Sequence, residues 1–108
     1  MENKMEHQLL NNALVVSFYG EVDSSNAPKY RQELDTLIMQ SEGDVIFRFK
    51  HTTFIDSSGI GLVLGRYNQL KLEGRKLKIS SLNNTAYKVF KLTGIFNIME
   101  YIEEEVEC

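Results

Sequence analysis

The chain has 108 residues, 43% of them apolar and 25% charged, and a formal net charge of −3 from 12 Lys plus Arg against 15 Asp plus Glu. This balance predicts one globular domain over residues 1–108 with a modest core, and it lacks the basic excess that nucleic-acid binding requires. No apolar run is long enough to span a membrane or form a signal peptide, and the lone Cys108 excludes an internal disulfide, so we expect a cytoplasmic protein.

The first predicted elements are two short strands, Met5 to Leu10 and Ala13 to Tyr19. The turn-prone pair Asn11-Asn12 separates them, which favours an antiparallel hairpin. Gly20 is expected to end the second strand.

A first helix is predicted from near Ser25 to about Gln40. Its start is rich in N-cap residues, with Asp23 as one candidate cap, and Pro28 is tolerated only in a helix's first turn. The residues at core spacing are Tyr30, Leu34, Leu37 and Ile38. Gly43 marks the end of this element.

The next strand is predicted over Asp44 to Lys50, because apolar side chains alternate with more polar ones. Val45, Phe47 and Phe49 are expected to face inward, and Ile46, Arg48 and Lys50 to face the less buried side. A short polar turn should then lead into the stretch Thr53–Tyr67. There a helix that ends at Gly74 is predicted from the apolar positions Ile60, Val63, Leu64, Tyr67 and Leu70.

The remaining elements are a strand over Lys76 to Ser80, a helix from the Asn83 cap to Leu92, and a short strand or turn over Ile95 to Ile102. The acidic run Glu103 to Glu107 is expected to be a solvated end. The order β-β-α-β-α-β-α-(β) predicts an α/β fold with right-handed crossovers: a mixed sheet of four to five strands, opened by a hairpin and packed with three to four helices.

Asp56, Ser57 and Ser58 lie where the second helix begins. A helix start has unsatisfied backbone N–H groups and partial positive charge, so these residue types are favoured there for capping alone. The same position exposes a hydroxyl, and a phosphate added to it could be accepted by the helix terminus. Residue types alone do not separate the two serines.

Two motifs resemble those of the anti-sigma factor antagonists, small bacterial proteins of the STAS fold. The first is the run D-S-S-G-I-G followed by L-G-R-Y, and the second is Gly20-Glu21-Val22-Asp23 followed by Ala27-Pro28. The resemblance extends from about Met5 to Met99 and leans toward the sporulation members rather than the general-stress members.

The resemblance implies that Ser58 is phosphorylated, with Ser57 or Asp56 as the cap. It implies a binding module without catalysis or cofactor, monomeric when free. Its unphosphorylated form would bind an anti-sigma factor that is also a serine kinase, and a separate serine phosphatase would reverse the modification. The residues implied in partner contact are Asp23, Asp56, Ser57, Ser58, Gly59, Ile60 and Gly61.

Two other classes use the same residues, a small serine hydrolase and a nucleotide-binding protein at the Ser58/Gly59–Gly65 turn. A hydrolase needs a G-x-S-x-G elbow, which is absent, and a histidine base, for which only His7 and His51 exist. The glycine pattern G-x-G-x-x-x-G does not follow a first strand, as a dinucleotide site requires. No histidine or cysteine spacing indicates a metal site.

Overall fold

A computed structural model describes residues 2–102. The elements are β1 Lys4–Leu10, β2 Ala13–Val22, α1 Ala27–Met39, β3 Val45–Ile55, α2 Ser57–Leu72, β4 Leu77–Ser80, α3 Asn84–Leu92, a 3-10 turn Ile95–Asn97 and β5 Glu100–Ile102. The strands form one sheet in the order β1-β2-β3-β4-β5, antiparallel between β1 and β2 and parallel elsewhere. The predicted mixed sheet opened by a hairpin is confirmed. The acidic run Glu103 to Glu107 lies outside the described residues.

The core lies between one face of the sheet and the helices. Phe18 of β2 stacks on Phe49 of β3 with ring centroids 5.1 Å apart. Phe18 also meets Tyr30 of α1 at 5.8 Å, and Phe49 meets Phe90 of α3 at 5.4 Å. The fully buried Leu70 of α2 belongs to the same cluster. All three helices therefore pack on the sheet face that carries these aromatic rings.

Strand β3 is longer than predicted, and the expected polar turn after Lys50 does not form. Burial alternates from Val45 to Phe49 as the sequence predicts, but the next buried positions are Thr52 and Ile55, each three residues further on. The pairing of β3 with β2 shifts twice, between Arg48 and His51 and between Thr52 and Phe54 of β3. At each shift β3 has one residue more than β2. These β-bulges explain why the two-residue pattern ended early although the strand continued.

Strand β2 also runs past its predicted end. Gly20 adopts φ +77, which a residue without Cβ tolerates at little cost, and pairing with β3 resumes at Glu21 and Val22. The bend at Gly20 therefore redirects the strand without ending it. As a result β2 and β3 finish side by side, with Val22 opposite Ile55.

Helix α1 begins at Ala27, slightly later than predicted, and Asn26 rather than Asp23 occupies the N-cap position. The backbone carbonyl of Asp23 accepts hydrogen bonds from the N–H groups of Asn26 (3.2 Å) and Ala27 (2.8 Å), which forms a turn ahead of the helix. The predicted cap of α3 is confirmed, because the Asn83 side chain accepts a 2.8 Å hydrogen bond from the Ala86 N–H.

Candidate functional site at the start of helix α2

Asp56 is the N-cap of helix α2. Its Oδ1 accepts hydrogen bonds from the backbone N–H groups of Ser58 (2.8 Å) and Gly59 (3.1 Å). Its backbone carbonyl accepts from the N–H of Ile60 at 2.9 Å. These contacts decide between the two caps that the sequence left open, in favour of Asp56 over Ser57. Capping therefore explains Asp56 but leaves both serine hydroxyls unassigned.

The two serines differ in their surroundings. Ser57 is exposed, whereas Ser58 is half-buried and lines a groove between α1 and α2. Within residues 2–102, neither hydroxyl makes a hydrogen bond to the protein. The Ser58 hydroxyl is therefore uncommitted and borders a concave surface.

Gly59 and Ile60 have structural roles. A Cβ on residue 59 would lie 2.7 Å from the Val22 carbonyl oxygen and 2.5 Å from Cγ1 of Ile55, so only glycine lets α2 start this close to the sheet. Ile60 is 7% exposed and belongs to the core. The Ile60 side chain, implied in partner contact by the sequence resemblance, is thus buried in the core.

Gly61 and Gly65 have the opposite environment. A Cβ at either position would meet no atom within 4 Å. Both residues line the same groove as Ser58, one and two turns along α2. Their lack of side chains keeps this face of the helix open.

The loop with Asp23 lies beside the start of α2, because β2 and β3 end together. The backbone N–H of Asp56 donates to the Val22 carbonyl at 3.3 Å. Asp23 Oδ1 accepts hydrogen bonds from the Ser25 N–H (3.0 Å) and hydroxyl (2.6 Å). The hydrogen bond from the Ser25 hydroxyl lowers the pKa of the Asp23 carboxyl below its usual value. This loop therefore lies near Ser58, since Ser24 and Ser58 line one groove.

We call this concavity the α1–α2 groove. It has a volume of about 820 Å³ and is lined by Ser24, Ala27, Pro28, Arg31, Gln32, Asp35, Ser58, Gly61, Leu62, Gly65 and Arg66. These residues recur at intervals of three and four on both helices, which places them on the two facing sides.

Arg66 is the functional candidate that sequence reasoning missed. The sequence feature that could have identified it is the four-residue spacing of Ser58, Leu62 and Arg66, which places one side chain per turn on the same face of α2.

The groove does not provide the groups that a serine hydrolase needs. Its lining includes no histidine. The His51 ring lies instead on β3, stacked on Tyr19 with centroids 4.9 Å apart, and His7 lies on the edge strand β1. Within residues 2–102 there is also no group of three or more His, Cys, Asp or Glu side chains placed to hold a metal ion.

Comparison with known proteins gives the family. The STAS domain model matches residues 4–108. The chain belongs to the STAS domain family. None of the helices in the described part of this STAS domain is long and apolar enough to cross a membrane.

Relatives of this STAS domain include two antagonists. It is 28% identical to the anti-sigma F factor antagonist of Paenibacillus polymyxa over 109 residues, which covers 100% of this chain and 92% of the relative. It is 30% identical to the anti-sigma-B factor antagonist of Bacillus subtilis over 89 residues, covering 82% and 81% of the two chains.

The fold of this STAS domain is also that of SpoIIAA, an anti-sigma factor antagonist. The unphosphorylated form matches with a TM-score of 0.75 at 26% identity, covering 96% of this chain and 90% of that one. The phosphorylated form of the Bacillus protein matches with a TM-score of 0.75 at 27% identity, covering 96% and 92%.

Proposed function

We propose that this STAS domain is an anti-sigma factor antagonist without catalytic activity, switched by phosphorylation of Ser58. The unphosphorylated form binds an anti-sigma factor that is also a serine kinase, and the bound sigma factor is released to RNA polymerase. The kinase then phosphorylates Ser58, and a separate phosphatase restores the hydroxyl. This exchange takes place in the cytoplasm, where sigma factors act.

One observation carries the choice of residue. The Ser58 hydroxyl has no hydrogen-bond partner within residues 2–102 and borders the α1–α2 groove, whereas Ser57 is exposed and lies outside the lining. A partner docked over the groove would cover Ser58 and leave Ser57 at the margin. A modification of Ser58 would therefore change the contacts across the interface.

The hydrogen bonds of Asp56 limit where a phosphate on Ser58 could lie. The N–H groups of Ser58 and Gly59 already donate to the Asp56 carboxylate. A phosphate on Ser58 would be repelled by that carboxylate and could use these amides only by displacing it. These two N–H groups are thus already occupied, and we expect the phosphate to lie outward, in the groove or in solvent.

An outward phosphate suits a switch that acts on the partner rather than on the fold. It adds a charge of about −1.5 to −2 at the groove. Enclosing that charge in an interface without a matching cation costs several kcal/mol, which is a loss of orders of magnitude in affinity. In keeping with such a local change, both forms of SpoIIAA match this chain with the same TM-score.

The experiment is a pull-down from lysate of the source cells with ADP and magnesium present. Baits are the wild type, Ser58→Asp and the neighbouring control Ser57→Asp, and captured proteins are identified by mass. We expect a kinase-like anti-sigma factor on the wild type and on Ser57→Asp, and its loss on Ser58→Asp. The same proteins on all three baits would show that Ser58 is not the switch.

A further inference from the structure

The α1–α2 groove continues beyond Ser58 and ends at two arginines. Arg66 of α2 and Arg31 of α1 both line it, together with one carboxylate, that of Asp35. Ser58 and Arg66 are eight residues apart on α2, which corresponds to about 12 Å along the helix. The charged end is therefore distinct from the phosphorylation position but belongs to the same surface.

Arg66 is poorly satisfied where it lies. Its side chain is only 10% exposed, and its Nε is 3.4 Å from Asp35 Oδ1. Within residues 2–102, neither Nε nor Nη1 has a hydrogen-bond partner, and Asp35 Oδ1 also lacks one. A guanidinium offers five N–H donors, and leaving buried donors unused is unfavourable. A further acceptor at this end of the groove would relieve that cost.

The charge balance also favours an added anion. Two guanidinium groups face one carboxylate, and Arg31 is exposed at the rim. Burial lowers the pKa of the Arg66 guanidinium, Asp35 opposes this shift, and the like charge of Arg31 adds to it. A second carboxylate would offset the repulsion between the arginines, and guanidinium groups bind carboxylates through paired hydrogen bonds.

The groove is open enough to admit a polypeptide. Gly61 and Gly65 add no side chains to its α2 side, and a Cβ at either position would meet no atom within 4 Å. The wall between the serine end and the arginine end includes the exposed apolar residue Pro28, backed by the buried Ala27 and Leu62. A free small anion would use only the arginine end, whereas a chain segment would also cover the apolar wall.

We infer that the α1–α2 groove receives an acidic segment of the anti-sigma factor, with a partner carboxylate bound between Arg31 and Arg66. This inference rests on the proposed function, because it extends the surface that Ser58 would control. The segment passes over Gly61 and Gly65 and excludes water there, which strengthens the ion pair at the far end. The same path brings the partner backbone against Ser58.

The test measures the affinity of the captured anti-sigma factor for purified variants by calorimetry, with ADP and magnesium present. Gly65→Leu fills the groove at a position where a side chain meets no atom, and Arg31→Glu reverses an exposed charge. Each should weaken binding by about tenfold or more. Asp35→Asn removes the competing carboxylate and should strengthen binding. The matched control Lys29→Glu, which reverses a charge on α1 outside the groove, should stay within about twofold of wild type.

The outcomes separate the two proposals. If Ser58→Asp abolishes binding while Gly65→Leu and Arg31→Glu bind like wild type, the groove inference is wrong and the switch stands. If the wild type captures no anti-sigma factor, both proposals are wrong.

A titration with succinate at constant ionic strength distinguishes a free small anion from a protein segment. Shifts of the Gly65 and Arg66 amides on adding succinate, with partner affinity unchanged in Gly65→Leu and Arg31→Glu, would indicate a small-anion site and overturn the docking of a protein segment.

Discussion

The Val22 carbonyl oxygen lies 2.7 Å from the position that a Cβ would occupy on Gly59. Real Cβ atoms do not approach backbone oxygens this closely, so Gly59→Ala would push α2 away from the end of β2. We expect a loss of about 1–3 kcal/mol in the free energy of unfolding, measured in urea.

Gly65→Ala is the matched control for that change. It lies in the same helix, but its Cβ would meet no atom within 4 Å. Alanine is the better helix former, so this variant should gain about 0.5–1 kcal/mol. Equal effects of the two substitutions would contradict the close approach of Gly59 to β2.

The Asp56 cap gives a second prediction. Asp56→Ala removes the acceptor for the N–H groups of Ser58 and Gly59 and should lower the free energy of unfolding by about 1 kcal/mol. Asp56→Asn retains an acceptor oxygen and should restore most of that loss. If alanine cost nothing while Ser57→Ala was destabilising, the cap would be Ser57 after all.

The turn ahead of α1 predicts a specific titration. The Ser25 hydroxyl donates to Asp23 at 2.6 Å and lowers the pKa of that carboxyl. Because the pKa of this carboxyl is lower in the folded state, its ionised form stabilises the fold at pH values above the unfolded pKa of about 4. This contribution is lost as the pH falls through the folded-state pKa. Ser25→Ala should raise the Asp23 pKa, measured by carboxyl carbon NMR. An unchanged pKa would show that the hydroxyl does not set it.

Arg75 gives a prediction about stability far from the site. Its side chain is 9% exposed and donates to the carbonyls of Gly43 (2.8 Å) and Ile38 (3.0 Å) and to Ser41 Oγ (2.8 Å). Arg75→Met would remove these three hydrogen bonds and leave the Gly43 carbonyl without its Arg75 donor, which should cost about 2–3 kcal/mol in urea unfolding. The exposed control Lys88→Met should change stability by less than about 0.5 kcal/mol.

Phosphorylation itself should leave the fold intact. Because the Ser58 hydroxyl borders the open α1–α2 groove, we expect a phosphate on it to require no rearrangement of the sheet or the core. In amide NMR spectra we expect shifts confined to the start of α2, the Asp23 loop and the α1–α2 groove. Shifts spread over β1 or β4 would mean that the switch acts through a global change.

Much of the fold followed from local patterns. The alternation of Val45, Phe47 and Phe49 identified the buried face of β3, and Asn83 identified the start of α3. These features depend on residues close together in the chain, where side-chain period and capping act directly. The D-S-S-G run likewise located the junction at Ser58 by its residue types.

Tertiary structure alone decided the features that depend on distant neighbours. The bulges of β3 formed because pairing with β2 continued beyond the period-two pattern. Packing at the strand ends required glycine at 59 and not at 61, although the two residues look alike in sequence. The sequence by itself determined the order of the elements and the position of the serines. The meeting of Arg66 with Arg31 and Asp35 arose from the docking of α1 beside α2, because contacts between helices depend on how their faces pack rather than on local periodicity.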